Sequence, residues 1–178
     1  MGDCITTYSK ISFAPAAPKI EQIEILDIAH ALSMLVRANG HFPKFYSVGQ
    51  HCIHCCEEAY ARGYDRRVQL ACLLHDASEA YLADITRPVK GHLIKYQEIE
   101  KVLQDCIFQK YLKGVSKEEE RLWKQLDDTL LYYEFQHFMG EEVVKYPGEL
   151  SSHPVFDTEP FKETEQKYLK WFERLYQG

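Results

Sequence analysis

The segment Gln69-Leu-Ala-Cys-Leu-Leu-His-Asp76 constrains the fold of this 178-residue chain more than any other. It is an apolar helical run that stops at two ionisable side chains. A run of this kind belongs in a core, and an unpaired charge at its end costs several kcal/mol unless something satisfies it. The fold must therefore bring a counter-charge to positions 75 and 76, and a metal ion would satisfy both at once. His51 upstream and Asp127 downstream supply two more groups of the same kinds. Histidine offers a neutral nitrogen lone pair, and an ionised aspartate offsets the charge of a cation. Four such ligands leave positions open for water and a substrate oxygen, as a catalytic site requires and a structural one does not.

Composition narrows the classes further. Hydrophobic residues make up 46% of the chain, and this length suits one domain that buries roughly two-thirds of its unfolded surface. A formal charge of -6 argues against a broad nucleic-acid surface, which needs clustered Lys and Arg. It leaves room for a small anionic substrate held by a metal and a few local cations. Residues 1–19 carry no apolar stretch of signal-peptide length, and no run approaches the roughly 20 apolar residues of a membrane span. A cytoplasmic protein with six reduced cysteines is the expectation. Cys52, Cys55 and Cys56 form a C-x-x-C-C cluster, but no second pair closes a zinc site, so they read as small apolar fillers on a packed helix.

Periodicity predicts an all-α domain of about six main helices behind an irregular, extended N-terminal arm over 1–20. Ile28, Leu32, Leu35 and Val36 predict a helix over 27–38, stopped by Asn39-Gly40. Ser47 and Gln50 form a capping box that opens the next helix, with His51 in its first turn and an end near Gly63. A third helix over 66–77 carries His75-Asp76. Thr86-Arg-Pro88 interrupts the pattern before a long helix that runs to Leu112. A second capping box, Ser116 to Glu119, opens a helix to Met139 that carries Asp127. Pro160 suits the first turn of a last helix over 160–177. Its stripe of Tyr168, Leu169, Phe172, Leu175 and Tyr176 reads as core or as a subunit contact.

The order His51, His75-Asp76, Asp127 resembles the HD-domain metal-dependent phosphohydrolases, in particular small bacterial 5'-deoxynucleotidases and phage-type dATP triphosphohydrolases. The stretches that carry the resemblance are Asp27-Ile-Ala-His-Ala-Leu-Ser33, Phe45-Tyr-Ser-Val-Gly-Gln-His51, Leu74-His-Asp-Ala-Ser-Glu-Ala-Tyr81, Asp84-Ile-Thr-Arg-Pro-Val-Lys90 and Leu126-Asp-Asp-Thr-Leu-Leu-Tyr-Tyr-Glu134. The metal-site core would then occupy 25–138 of a single HD-type helical bundle. The resemblance implies that His51, His75, Asp76 and Asp127 ligate the metal. Asp127 and Asp128 point about 100° apart on a helix. Asp127 is chosen because the family pattern places a glutamate seven residues on, which is Glu134 here.

On the same grounds Glu79 and Asp84 are the catalytic carboxylates, while Arg37 and Lys90 contact substrate phosphate. His41 is a candidate pocket residue. The implied cofactor is one divalent transition metal (Mn, Co, Fe, Ni or Zn), since mixed imidazole and carboxylate ligands suit these better than a purely oxygen-loving ion. The implied substrate is a deoxynucleoside monophosphate or triphosphate, cleaved by water attack at the 5'-linked phosphorus. The implied assembly is a homodimer or larger homo-oligomer, with no nucleic-acid polymer and no membrane. The competing reading is a catalytically silent nucleotide sensor or scaffold. The presence of four ligands and two following acids stands against it.

Overall fold

The computed structural model describes residues 3–176; residues 1–2 of the expected arm and residue 177 of the expected last helix lie outside them. The chain is all-α, with α1 (Ile25–Met34), α2 (Val48–Ala61), α3 (Arg66–Leu74), α4 (Arg87–Lys90), α5 (Ile94–Leu112), α6 (Lys117–Met139) and α7 (Phe161–Leu175). Only α4 is a single turn, so six helices build the body. The arm is less irregular than expected. It pairs β1 (Ile5–Thr6) antiparallel with β2 (Ser12–Phe13), with Ile5 opposite Phe13. Phe13 is fully buried and stacks on Tyr81 at 4.3 Å, which pins this small hairpin to the body.

Local chemistry starts the helices where the capping residues stand. Ser47 and Gln50 exchange side-chain-to-backbone hydrogen bonds of 3.1 Å at the start of α2. Ser116 and Glu119 do the same at the start of α6, at 2.7 and 3.2 Å. Asp65 caps α3 through the Val68 N–H at 2.9 Å. Such caps satisfy the orphan N–H groups of a first turn. At the other end of α6, Gly140 takes the left-handed conformation with φ 70°.

Two helix ends depart from expectation. Helix α1 stops at Met34 and not at residue 38, because Leu35 turns extended and Val36 forms a β-bridge with Ser47. The Arg37 N–H then donates to the Tyr46 carbonyl, and the Val48 N–H to the Leu35 carbonyl, both at 2.9 Å. Ala38 and Asn39 reverse the chain with φ 54° and 51°. Pairing across this hairpin outcompetes the helical pattern and aims Arg37 inward.

Helix α3 stops at Leu74 and not at residue 77. The hydrogen bond that would continue it, from the Ser78 N–H to the Leu74 carbonyl, is replaced by the amide of Gln104 from α5. Gln104 accepts from Ser78 at 3.0 Å and donates to Leu74 at 2.7 Å. A side chain inserted into the ladder is a recognised cause of a helix break. Asp76 sits at the break with φ -100° and ψ 13°, and a 3-10 turn, Ala77–Ala80, follows. Pro160 is the N-cap of α7 and not a residue of its first turn.

Helix α2 lies at the centre, packed on α3, α6, α1 and α7. The C-terminal stripe belongs to this core. Tyr168, Phe172 and Leu175 are buried, and the Tyr168 hydroxyl donates to the Leu73 carbonyl at 2.6 Å. Leu169 and Tyr176 lie half-buried at its edge. Among the described residues no helix is long and apolar enough to cross a membrane. Helices α1 and α2 approach closely at Gly49, where a Cβ would meet the Leu32 and Ser33 backbone at 3.1 Å. Gly49→Ala is expected to destabilise the protein by about 1–3 kcal/mol through overpacking, read as a lower urea midpoint at unchanged slope.

Candidate metal centre

His51 rises from the first turn of α2, His75 and Asp76 flank the break after α3, and Asp127 lies mid-way along α6. The structure brings all four together. The Nε2 atoms of His51 and His75 are 3.3 Å apart. Asp127 Oδ1 lies 3.1 Å from His51 Nε2 and 3.9 Å from His75 Nε2. Asp76 Oδ2 lies 3.3 Å from His75 Nε2 and 3.9 Å from His51 Nε2. Donors about 2.1 Å from one ion sit about 3.0 Å apart at right angles and about 3.4 Å apart at the tetrahedral angle. Three of the five separations, 3.1, 3.3 and 3.3 Å, fall in that range, while the two of 3.9 Å correspond to wider angles.

The outer ring nitrogens are engaged, which decides the tautomers. His51 Nδ1 faces Glu134 Oε1 at 2.6 Å, and His75 Nδ1 faces the Cys72 carbonyl at 2.6 Å. Each acceptor takes the Nδ1 proton, so both Nε2 atoms face the same spot in a buried site, where a bound cation or, at His51, a proton shared with Asp127 can sit. Two facing lone pairs repel unless a cation or proton lies between them, and a carboxylate behind a ligating imidazole is a recurrent device of metal sites. The donor set thus fits a divalent ion.

Glu134 anchors this arrangement. It is fully buried, and besides His51 it accepts from Arg37 Nε at 2.7 Å and the Tyr46 hydroxyl at 3.0 Å. Tyr46 in turn meets His54 Nδ1 at 2.8 Å. Burial pushes the Glu134 carboxyl up, but Arg37 and His51 outweigh it and hold it down at about 2. For His51, burial and the Arg37 charge both push down, yet Glu134 and Asp127 raise the imidazole to about 9. Asp76 and Asp127 are likewise held below the carboxylate range against burial, Asp76 chiefly by His75 and Asp127 chiefly by its bond to His51.

The expected catalytic acids behave oppositely. Glu79 is buried, and its Oε2 has no hydrogen-bond partner among the described residues. Burial, then the charges of Asp76 and Asp84, raise its carboxyl well above the usual range. Asp84 is also raised, first by burial, with Arg37 opposing. Lys90 reaches Glu79 Oε1 at 3.7 Å but bonds more tightly to Glu100, at 2.6 Å. Arg37 is buried. Its Nε is committed to Glu134, and only Nη1 and Nη2 edge the cluster, 3.6 Å from Asp76 and 3.8 Å from Asp127. His41 is exposed, and its side chain has no hydrogen bond or ion pair with the cluster.

The family model of the HD domain matches residues 46–144, more than half of the chain. The chain belongs to the HD domain family. That is the superfamily of metal-dependent phosphohydrolases, and the match spans every residue of the cluster except Arg37. The chain is 36% identical over 107 residues to the uncharacterized protein YfdR of Escherichia coli (strain K12), covering 60% of this chain and 57% of that protein. It is 43% identical over 89 residues to an uncharacterized protein of Rhodobacter capsulatus, covering 47% of this chain and 45% of that protein. The chain thus spans about half the length of these curated relatives.

Within this HD domain, three residues were given no place at the site from sequence. Arg87 bridges Asp127 Oδ2 at 2.7 Å and Asp128 Oδ1 at 2.6 Å, so Asp128 faces outward while Asp127 faces the histidines. Cys55 Sγ lies 3.5 Å from His51 Nε2 and groups with both histidines at ligand distance. Cys52 groups in the same way with His75 and Asp76. The signal for Cys55 was its spacing: it follows His51 by four residues, on the same helical face.

Two outcomes test the geometry. Asp127→Ala is expected to abolish binding of manganese or cobalt in calorimetry, while Asp128→Ala leaves it near wild type. Glu134 contributes to the acid limb of the metal-free protein, together with Asp76 and Asp127, which are also held down. Its folded pKa is depressed, so its contribution is present above about 4.5 and is lost as pH falls toward about 2. Thermal melts across that window should fall steeply for wild type and more gently for Glu134→Gln.

Proposed function

We propose that this chain is a metal-dependent phosphohydrolase acting on small nucleotides, namely deoxynucleoside 5'-monophosphates or triphosphates. The observation that carries the hydrolytic reading is the pair of buried histidines presenting facing Nε2 atoms, flanked by two carboxylates held ionised. The substrate class rests on the motif resemblance from Asp27 to Glu134.

His51, His75, Asp76 and Asp127 would hold a divalent ion, which when bound lowers the pKa of water from about 15.7 to about 7 and polarises a phosphoryl oxygen. The remaining work falls to the chain's own groups. Glu79, its carboxyl raised well above the usual range by burial and its acidic neighbours, is suited to donate a proton to the leaving 5' oxygen. Asp84, nearer the solvent edge, is suited to orient the attacking water. Two carboxyls pushed up beside three held down separate the acid and ligand roles by environment alone. The Nη edge of Arg37, with Lys90, offsets charge on the non-bridging oxygens. Arg87 adds a third cation at this rim.

Phosphate release assayed against a nucleotide panel with added manganese or cobalt tests the reading. Glu79→Gln is expected to keep metal binding and lose about 10²–10⁴-fold in rate, the usual worth of one acid–base group. Full activity in that variant would remove Glu79 from the mechanism. No turnover of any nucleotide by metal-loaded wild type would remove the nucleotidase reading.

A further inference from the structure

The two oxygens of Asp127 face different partners. Oδ1 turns to the histidines, 3.1 Å from His51 Nε2 and 3.9 Å from His75 Nε2. Oδ2 accepts from Arg87 Nη2 at 2.7 Å, and Arg87 Nη1 donates to Asp128 Oδ1 at 2.6 Å. One planar guanidinium therefore spans two adjacent carboxylates, whose side chains leave α6 about 100° apart. Arg87 reaches them from the first residue of α4, a single turn with no buried residue. Among the described residues it makes the only hydrogen bonds and ion pairs between α4 and α6. An exposed ion pair is commonly worth little. This one is lopsided: the Asp127 side chain is only 16% exposed, against 56% for Arg87. The bond to Oδ2 is made to a carboxylate that the fold has already withdrawn from water.

We infer that Arg87 is a positioning residue for the metal centre: by holding Oδ2 it presents Asp127 to the ion through Oδ1 alone. The inference rests on the metal-site reading above and deepens it. A carboxylate can bind a cation through one oxygen or both, and binding through both fills a further coordination position. With Oδ2 taken by an N–H, Asp127 contributes one donor beside His51, His75 and Asp76. The positions needed for water and a phosphoryl oxygen then stay open. Carboxylates that ligate metals are commonly hydrogen-bonded in this way. Arginine suits the task because its charge is permanent and its donors form a rigid fork, so two carboxylates are held at once. Lysine offers one ammonium on a flexible stem and cannot hold both in a fixed geometry. Asp128 steadies the fork from outside the cluster, and the Nη2 bond to Oδ2 persists without it.

The test is manganese binding to the chelator-treated full chain by calorimetry, with no substrate present. Charge and orientation predict opposite signs. Removing a cation beside a divalent ion tightens binding by relieving repulsion, whereas removing the residue that aims a ligand weakens it. Arg87→Ala is expected to bind manganese about 10–100-fold more weakly, a typical loss at a metal site. Arg87→Lys should recover part of that loss, and Arg121→Ala, an exposed α6 arginine paired with Glu118, should match wild type. Because no residue of α4 is buried, the metal-free melting temperature of Arg87→Ala should stay with wild type. Manganese binding in Arg87→Ala as tight as in wild type, or tighter, would overturn the positioning role and leave the metal reading standing. An equal loss in Arg121→Ala would do the same, since the effect would then not belong to Arg87. Failure of wild type to bind manganese or cobalt would sink both readings.

Discussion

A buried carboxylate with no partner is among the most costly groups a core can contain, and Glu134 is fully buried. Its oxygens are satisfied by three donors from two other parts of the chain. His51 comes from α2, and Arg37 and Tyr46 come from the hairpin that precedes it. Removing any one leaves charge or lone pairs stranded, so α6, α2 and the hairpin must close on one another in a single register. That closure also fixes the His51 tautomer and turns its Nε2 inward. The packing requirement of one glutamate thus becomes the orientation of one candidate ligand.

The second constraint is the break after Leu74. Along an unbroken helix, adjacent residues diverge by about 100°, and His75 and Asp76 would not share a target. Gln104 substitutes for the hydrogen bond that would have continued the helix, and Asp76 takes a conformation outside the helical region. The two side chains then converge to 3.3 Å. A long-range amide from α5 therefore makes an adjacent His-Asp pair geometrically useful. It also starts the 3-10 turn that carries Glu79 into the same space.

Five carboxyl groups lie in or beside this site, and the surroundings divide them. Asp76, Asp127 and Glu134 face imidazole or guanidinium groups and are held down. Glu79 and Asp84 are raised by burial first, with the charge of Asp76 adding to both. The same residue types are thereby assigned to different chemistry by their neighbours. Arg37 serves this division from the inside, while Arg87 and Lys90 stand at the rim, where an anionic substrate would approach.

The sequence alone determined the all-α class, the capping boxes at Ser47 and Ser116, and the order of imidazoles and carboxylates along the chain. These were legible because capping and periodicity act over a few residues. The tertiary structure decided where α1 and α3 end, that Arg37 turns inward, and that the C-terminal stripe is core. Each depends on a partner far away in sequence: Ser47 for Val36, Gln104 for Leu74, Glu134 for Arg37, and Leu73 for Tyr168. Local spacing can rank which residues share a face, but only the closed fold settles which face meets which. That is a matter of burial and of satisfying polar groups across distant elements.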